Sequence, residues 1–259
     1  MALPAPTPTA TIVITGASSG IGAEIARVLA GRGHSLLLVA RRKDRLDALA
    51  RELRHVETEV EPCDLGDPGA REALIEKLRT RNLAALVNNA GVGSHGPVAR
   101  ADLDAERSMV ELNVAALHHL TVALLPQFVA QGHGAILNVA SLAAFQPLPN
   151  FATYAATKAF VHSFSEAVHT EVHGGGVSVT SLCPGPVHTE FGEKAGLGAA
   201  EQQSPEFVYV DAAQVAEDAI AAMEAGRRSV VPSLKWKAAA LGGRLIPRTI
   251  LLPLAKRAR

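Results

Sequence analysis

Short apolar runs alternate along the chain with longer segments in which apolar residues recur about every 3.6 positions. The short runs are rich in Val, Ile, Leu and Thr, which is typical of buried strands. We predict strands at TIVIT, SLLLVA, TEVEP, LAALVNN, GAILNVA, VSVTSLC and SVVP. Helices are predicted over about 21–32, 43–54, 67–81, 104–131, 151–173 and 211–225, with a loop-rich segment over 184–205.

Apolar strands that alternate with helices predict a parallel sheet covered on both faces. The sequence shows no internal repeat and no linker, so one domain is expected. The predicted fold class is therefore α/β, a doubly wound parallel sheet of the Rossmann type. We expect a flexible lead-in over residues 1–10, the Rossmann-fold domain over 11–232 and a basic, apolar tail over 233–259.

Composition restricts the cellular compartment and the class of partner, but it says little about the function. The 259 residues are 48% apolar and carry a net charge of zero, which gives no electrostatic basis for a nucleic-acid partner. Cys63 and Cys183 are far apart and form no metal-ligand pattern, which favours a reducing compartment. No signal peptide is recognised at the N-terminus and no apolar stretch of membrane-spanning length is found, so a cytoplasmic location is expected.

A glycine-rich turn, TGASSGIG, lies between the first strand and the first helix. Glycine permits a tight turn with positive φ and close backbone approach, and the following helix N-terminus offers free N–H groups to a pyrophosphate. A purely structural turn is the alternative, but the position after strand one favours a dinucleotide. The cofactor-binding residues predicted here are Gly16, Ser18, Ser19, Gly20, Ile21 and Gly22.

The end of the second strand indicates which dinucleotide binds. An enzyme selective for NAD would have a carboxylate there for the ribose hydroxyls, but the chain reads VARRKDR. A guanidinium of Arg41 or Arg42 would instead bind a 2′-phosphate, so NADP(H) is favoured. The alternative is that both arginines begin a solvated helix face. Further predicted cofactor contacts are Asp64 and Leu65 after strand three, and Asn89, Ala90 and Gly91 after strand four; Asp64 would alternatively be a helix N-cap.

Candidate chemistry lies after strand five and on the helix that follows. Tyr154 and Lys158 are four residues apart and share a helix face, so a hydroxyl and an ammonium would face one cleft. A nearby cation would lower the pKa of the phenol, and Tyr154 could then exchange a proton with an alcohol or alkoxide. Ser141 would hold the same oxygen. Asn113 is polar within an apolar helix, which indicates a water bridge to Lys158, a helix kink or a core polar contact.

Together these residues resemble the short-chain dehydrogenase/reductase family over about residues 10–232. The resemblance rests on the turn at 15–22, Asn88–Gly91, Asn113, Ser141, the Tyr154 and Lys158 pair and Pro184–Gly185, in the family's order. It implies a seven-stranded sheet and hydride transfer between nicotinamide C4 and a carbonyl carbon. It also implies catalytic roles for Asn113, Ser141, Tyr154 and Lys158. Cofactor contacts are implied for Tyr154, for Lys158, which would bind the nicotinamide ribose, and, at the nicotinamide, for Pro184, Gly185, Val187 and Thr189.

One departure from the family concerns the cofactor. Many NADP-using members have a basic residue just before the second motif glycine, where this chain has Ser19. The NADP(H) prediction therefore depends on Arg41 and Arg42 alone.

The substrate is expected to be a lipophilic ketone or alcohol, because the segments after Pro184 and around LAAFQPLPNF are apolar and lack clustered cations. Acyl thioesters, steroids and retinoid-like molecules stay open. No metal is expected, since the spacing of the helical histidines is not a ligand signature. The predicted substrate residues are Ser141, Ala143, Phe145, Phe151, Tyr154 and Phe191, with Val92, His95 and Leu148 beside them.

The tail from Ser229 to Arg259 has no acidic residue and seven basic ones. A lid over the substrate cleft is favoured; a contact with a partner subunit and a peripheral contact with an anionic membrane are the alternatives. A homodimer or homotetramer is expected from the resemblance. The function predicted is an NADP(H)-dependent carbonyl reductase or alcohol dehydrogenase. The alternatives are a non-catalytic NADP-binding sensor or scaffold, and a nucleotide-sugar epimerase or dehydratase, which the glycine spacing disfavours.

Overall fold

A computed structural model describes residues 3–197, 205–249 and 252–253. Its centre is a sheet of seven parallel strands, each formed by one of the predicted apolar runs. The strands are β1 (Thr11–Thr15), β2 (Ser35–Ala40), β3 (Thr58–Pro62), β4 (Leu83–Asn88), β5 (Gly134–Val139), β6 (Val177–Leu182) and β7 (Ser229–Val230). Their order across the sheet is β3-β2-β1-β4-β5-β6-β7. The doubly wound parallel α/β fold is therefore confirmed.

Helices connect these strands and cover both faces of the sheet. They are α1 (Gly20–Gly31), α2 (Lys43–Glu52), α3 (Pro68–Arg79), α4 (Leu103–Val110), α5 (Leu117–Gln131), α6 (Ala152–Val172), α7 (Glu190–Lys194), α8 (Ala212–Glu224) and α9 (Leu234–Leu245). Asp67 and Asp211 cap α3 and α8 through their side chains, at the start of two of the predicted helices.

The alternating residues of β1 separate two hydrophobic cores. Ile12 and Ile14 pack with α1, α2 and α8 on one face, whereas Val13 packs with α3, α5 and α6 on the other. All six residues in each of β2, β4, β5 and β6 are buried, which is typical of parallel strands covered on both sides.

The order of the strands positions the site. β1 pairs with β2 on one side and with β4 on the other, so the chain leaves the centre of the sheet in opposite directions. A crevice forms at such a switch point, beyond the carboxyl ends of the strands. The turn after β1 and the segments after β4, β5 and β6 meet there.

The long predicted helix is interrupted. A π-helical turn, Glu111–Ala116, separates α4 from α5. The whole stretch Leu103–Gln131 has the length and apolar character of a membrane span, which the sequence analysis did not identify. One face of α5 nevertheless fills the core with Leu120, Leu124 and Phe128, as the central helix of a globular domain does.

The two ends of the chain differ from expectation. Leu3, in the lead-in expected to be flexible, is only 4% exposed and packs in the core. In the tail, residues Leu234–Leu245 form the helix α9, an element that was not predicted there. The loop predicted over 184–205 contains the short helix α7, and its residues 198–204 lie outside the described residues.

Candidate active site

The glycine turn after β1 is closed by hydrogen bonds from the segment after β4. The backbone N–H groups of Asn89 and Ala90 donate to Thr15 Oγ1 over 2.9 and 3.1 Å. The Asn89 side chain donates back to Thr15 O and Gly16 O over 2.9 and 3.2 Å. Asn89 therefore fixes the shape of the turn in addition to lining the cleft.

The backbone of the turn packs closely against the segment after β4, where a side chain on the turn would intrude. Gly16 and Gly20 have φ of 66° and 57°, which favours glycine. A Cβ on Gly16 would lie 2.8 Å from Ala90 Cα. The Ser19 side chain makes no capping bond to α1, so the first N–H groups of this helix are open towards the cavity. This arrangement fits a dinucleotide pyrophosphate.

One cavity of about 540 Å³ extends from this turn along the carboxyl ends of the strands. Its wall contains nearly all of the cofactor and substrate residues predicted from the sequence. The predicted residues that line it are Gly16, Ser18, Ser19, Gly20, Ile21, Arg41, Arg42, Asp64, Leu65, Asn89, Ala90, Gly91, Ser141, Ala143, Phe151, Tyr154, Lys158, Pro184, Gly185, Val187, Thr189 and Phe191.

Three of the predicted site residues do not line the cavity. Gly22 is buried in α1, where a Cβ would lie 2.4 Å from Asn89 Nδ2, so its role here is close packing. Asn113 is buried behind Gly91. Phe145 is a correction, because its ring packs edge-on against His162, 4.8 Å between centroids, on the far side of the turn that contains Ala143.

Ser141, Tyr154 and Lys158 come together at the inner end of the cavity. Tyr154 and Lys158 lie one turn apart on α6, and the Lys158 Nζ atom is 5.8 Å from the centre of the Tyr154 ring. Ser141 follows β5, and its side chain lies close enough to the Tyr154 hydroxyl to lower the pKa of that phenol. Lys158 is 5% exposed and donates to Val139 O over 2.8 Å, which anchors its ammonium beneath the cavity.

Burial sets the acidity of this pair. It raises the pKa of Tyr154 to about 12, because the phenolate would lose its hydration, and the Ser141 hydrogen bond offsets only part of this increase. Burial also lowers the pKa of Lys158 to about 8. The spacing of Tyr154 and Lys158 predicted a Tyr154 pKa below its ordinary value, whereas in this structure desolvation raises it.

Asn113 lies in the π-helical turn and faces the back of the site. Its side chain donates to Val92 O over 2.9 Å and to Thr157 Oγ1 over 3.2 Å, and it accepts from Val92 N over 2.9 Å. A Cβ on Gly91 would lie 3.1 Å from Asn113 Oδ1 and 3.4 Å from Lys158 Nζ. The absence of a side chain at Gly91 thus leaves Asn113 and Lys158 as neighbours.

The other end of the cavity is basic. Arg42 donates to the hydroxyls of Ser18 and Ser19 over 3.0 and 2.9 Å and forms an ion pair with Glu190 over 2.9 Å. Arg41 is mainly exposed and lies 3.9 Å from Asp64. Asp64 accepts from Gly66 N over 3.0 Å, so it caps a turn while also lining the cavity. The sequence analysis did not identify Glu190, since nothing in its local sequence connects it with Arg42.

The substrate end is bordered by aromatic and aliphatic side chains. The Phe191 ring lies 5.3 Å from that of Tyr154, between centroids, and the Phe151 ring lies 6.2 Å from it. Leu148 and Val92 complete this wall, whereas His95 packs against the Phe151 ring, 4.8 Å between centroids, and does not line the cavity.

The tail helix packs beside the cavity. Trp236 Nε1 donates to Val208 O over 3.2 Å. A Cβ on Gly185 would lie 2.5 Å from Trp236 Nε1. Lys235 donates to the carbonyl oxygen of Phe207. Since Gly185 and Val208 both line the cavity, α9 supports its outer wall.

Comparison with known proteins identifies the family. Residues 10–199 match the model of the short chain dehydrogenase family. The chain is 38% identical over 185 residues to sulfoacetaldehyde reductase 2 of Chromohalobacter salexigens, covering 70% of this chain and 73% of that one. This protein belongs to the short-chain dehydrogenase/reductase family and is an NAD(P)-dependent oxidoreductase.

Solved structures agree over nearly the whole chain. A short-chain dehydrogenase from Sphingobium yanoikuyae in complex with NADPH is 35% identical, with a TM-score of 0.83 and coverage of 94% of this chain and 95% of that one. A bulky-bulky ketone specific alcohol dehydrogenase from Comamonas testosteroni is 30% identical, with a TM-score of 0.79 and coverage of 93% and 96%. NADP(H) is the cofactor of this chain, as the sequence predicted.

Proposed function

We propose that this protein is an NADP(H)-dependent carbonyl reductase, also able to run as an alcohol dehydrogenase, in which Tyr154 transfers the proton. The observation that supports this most directly is the meeting of Ser141, Tyr154 and Lys158 in the cavity that also contains the glycine turn. A sensor or scaffold that only binds NADP(H) would have no use for all three side chains at the inner end of its cofactor cleft.

Each residue has a distinct part in the reduction. Bound NADPH supplies a hydride to the carbonyl carbon of the substrate. The hydroxyls of Ser141 and Tyr154 donate hydrogen bonds to the carbonyl oxygen and orient it. The Tyr154 O–H bond then breaks and its proton passes to that oxygen, which leaves an alcohol and a phenolate. A pKa of about 12 keeps Tyr154 protonated at neutral pH, in the form that acts as the acid.

Lys158 and Asn113 would restore the proton. The ammonium of Lys158 stabilises the transient phenolate because it lies close to the Tyr154 ring and is itself buried. In this proposal a water between Lys158 and Asn113 completes a relay to solvent, as their common position beside Gly91 favours. Lys158 also binds the hydroxyls of the nicotinamide ribose.

The proposed substrate is a lipophilic ketone or its alcohol. Phe151, Phe191, Leu148 and Val92 form the wall next to Tyr154. The similarity to an alcohol dehydrogenase that is specific for bulky-bulky ketones supports a large apolar substrate. A second candidate, a small anionic aldehyde, is suggested by the similarity to sulfoacetaldehyde reductase 2, but it would need a cation beside Tyr154 other than the buried Lys158.

The test is NADPH oxidation with carbonyl substrates of increasing apolar size, together with sulfoacetaldehyde, in the wild type and in Tyr154→Phe. We expect bulky ketones to be reduced, and the variant to lose roughly 10²- to 10⁴-fold in kcat, the usual contribution of a positioned proton donor. NADPH binding, followed by the fluorescence of the cofactor, should be nearly unchanged.

Two results would contradict the proposal. Equal turnover in Tyr154→Phe would exclude Tyr154 as the acid. NADPH binding without turnover of any carbonyl would favour the sensor or scaffold interpretation.

A further inference from the structure

Three consecutive residues at the start of α7 cross the cavity from its basic end to its catalytic end. Thr189 packs on the glycine turn, since a Cβ on Gly20 would lie 3.0 Å from Thr189 Cγ2. Glu190 binds the basic residues beside that turn, and Phe191 lies against Tyr154. We call residues 189–191 the strap.

Glu190 forms several ion pairs within the basic end. Its carboxylate accepts from Arg42 over 2.9 Å, from Lys194 over 2.6 Å and from Arg45. Together these cations hold the pKa of Glu190 far below its ordinary value, with Lys194 contributing most. The carboxylate is therefore a permanent anion in contact with Arg42.

Arg42 is also the residue preorganised for the cofactor. The same guanidinium donates to the hydroxyls of Ser18 and Ser19, and it lines the cavity beside the turn that fits the pyrophosphate. Glu190 thus occupies a guanidinium that a 2′-phosphate would use. Arg42 and Glu190 are each 32% exposed, so water can solvate both groups when they separate. Another anion can then take the place of Glu190 on Arg42.

Phe191 couples the strap to the catalytic end. Its ring lies 5.3 Å from that of Tyr154, between centroids, and a Cβ on Gly93 would lie 2.5 Å from Phe191 Cζ. Phe191 is the next residue in the chain, so a displacement of Glu190 that shifts the backbone of α7 would also shift the Phe191 ring.

We propose that Glu190 is a specificity-determining residue that competes with the 2′-phosphate of NADP(H) for Arg42, and that its displacement moves Phe191 away from Tyr154. The inference rests on the NADP(H) use of the proposed function. A phosphate carries more charge than a carboxylate, and Glu190 reaches Arg42 through the single oxygen Oε2, so the phosphate is expected to displace it. NADH lacks this phosphate and leaves the strap in place.

The competition is tested by fluorescence titration of NADPH and NADH in the wild type and in Glu190→Gln. Glutamine keeps the shape but removes the charge, so NADPH should bind about fivefold more tightly, an effect of the size that a partly exposed ion pair supports. NADH affinity should change much less. Glu193→Gln is the matched control, because it removes the same charge from an exposed position on the same short helix.

The ratio of the two cofactor affinities decides the result. A rise in the affinity for NADPH relative to NADH that is confined to Glu190→Gln supports competition. An unchanged ratio, the same rise in Glu193→Gln, or weaker NADPH binding in Glu190→Gln would overturn it; the last result would mean that Glu190 holds the strap closed over the cofactor. Thermal unfolding of each variant shows whether a loss of binding reflects a loss of folding.

The movement of Phe191 needs a probe that reaches only the basic end. Adenosine 2′,5′-diphosphate carries the 2′-phosphate without the nicotinamide half, and ADP lacks both. We expect the first compound to speed hydrogen exchange of the α7 amides in the wild type, and ADP to leave it unchanged. Equal exchange with both compounds, or slower exchange with the first, would overturn the coupling.

These measurements use no carbonyl substrate, so they separate the two proposals. Turnover that survives in Tyr154→Phe contradicts the proposed acid without altering the affinity ratio. An unaltered ratio in Glu190→Gln contradicts the competition without altering turnover of ketones.

Discussion

At the scale of single residues, the burial of Lys158 in the site destabilises the fold. The residue is 5% exposed, and Val139 O accepts from one of the three N–H groups of its ammonium. Burying a cation with few partners is unfavourable, and this is the cause of its low pKa. The chain retains this charge because NADP(H) and Tyr154 are expected to use it.

The pH dependence of stability provides a test. The pKa of Lys158 falls from its ordinary 10.5 to about 8 in the folded protein, so the unfolded chain binds this proton more tightly. The charged form therefore destabilises the fold at neutral pH, and this penalty fades as the pH rises from about 8 towards 10.5. Relative to Lys158→Met, the wild type should gain about 2 kcal/mol between pH 7 and 9.5.

Urea denaturation of both proteins at each pH measures this difference, and the comparison cancels the titration of all other groups. A difference that is constant across this range would mean that burial does not lower the pKa of Lys158.

Single residues differ in how far the sequence can place them. Tyr154 and Lys158 were placed correctly relative to each other because helix geometry is local. Glu190 was not found because its contact with Arg42 joins positions 148 residues apart. Phe145 was assigned to the wrong side because residues 142–145 form a 3₁₀ turn, in which neighbouring side chains point in different directions.

At the scale of elements, two of the three glycines in α1 have opposite requirements. A Cβ on Gly22 would lie 2.4 Å from Asn89 Nδ2 and 2.6 Å from Gly16 O, whereas one on Gly31 would meet no atom within 4 Å. We expect Gly22→Ala to destabilise the protein by about 1–3 kcal/mol through overpacking and to weaken NADPH binding, because it displaces the Asn89 amide that closes the turn.

Gly31→Ala is the matched control, and it should be neutral or stabilising by up to about 1 kcal/mol, since alanine favours the helix. Chemical denaturation and NADPH titration of both variants provide the measurement. Equal effects of the two substitutions would show that the close contact between α1 and Asn89 is not needed.

The elements themselves were largely predictable, because buried parallel strands and amphipathic helices have clear periodicities. α7 was not, since five residues are too few to show a helical period. The π-helical turn around Asn113 was also not resolved from the sequence, although the polar residue in an apolar helix had indicated a kink as one interpretation. The Asn113 side chain donates to Val92 and Thr157, and these contacts depend on tertiary structure.

At the scale of the whole molecule, the alternation of strands and helices restricts the topology so strongly that the sheet and the position of the cleft follow from it. Association between copies has no such rule and stays a prediction. The stacked rings of Phe160 and Phe164 on the long helix α6, with Phe160 40% exposed, are compatible with the expected homodimer or homotetramer.

The tail has its effect at this same scale, because α9 joins the end of the chain to the wall of the cavity. If the lid interpretation holds, Trp236→Ala should speed NADPH dissociation and destabilise the protein by about 2 kcal/mol, less than in a full core because the ring is partly exposed. Lys237→Ala, an exposed neighbour, should change neither. Stopped-flow dissociation and denaturation provide the measurements, and co-sedimentation with anionic vesicles, with and without residues 234–259, tests the membrane interpretation. Unchanged NADPH dissociation in Trp236→Ala, together with co-sedimentation that requires the tail, would favour a membrane contact over a lid. If α9 covered the cavity through Trp236, removal of that ring would have to change the rate at which the cofactor leaves.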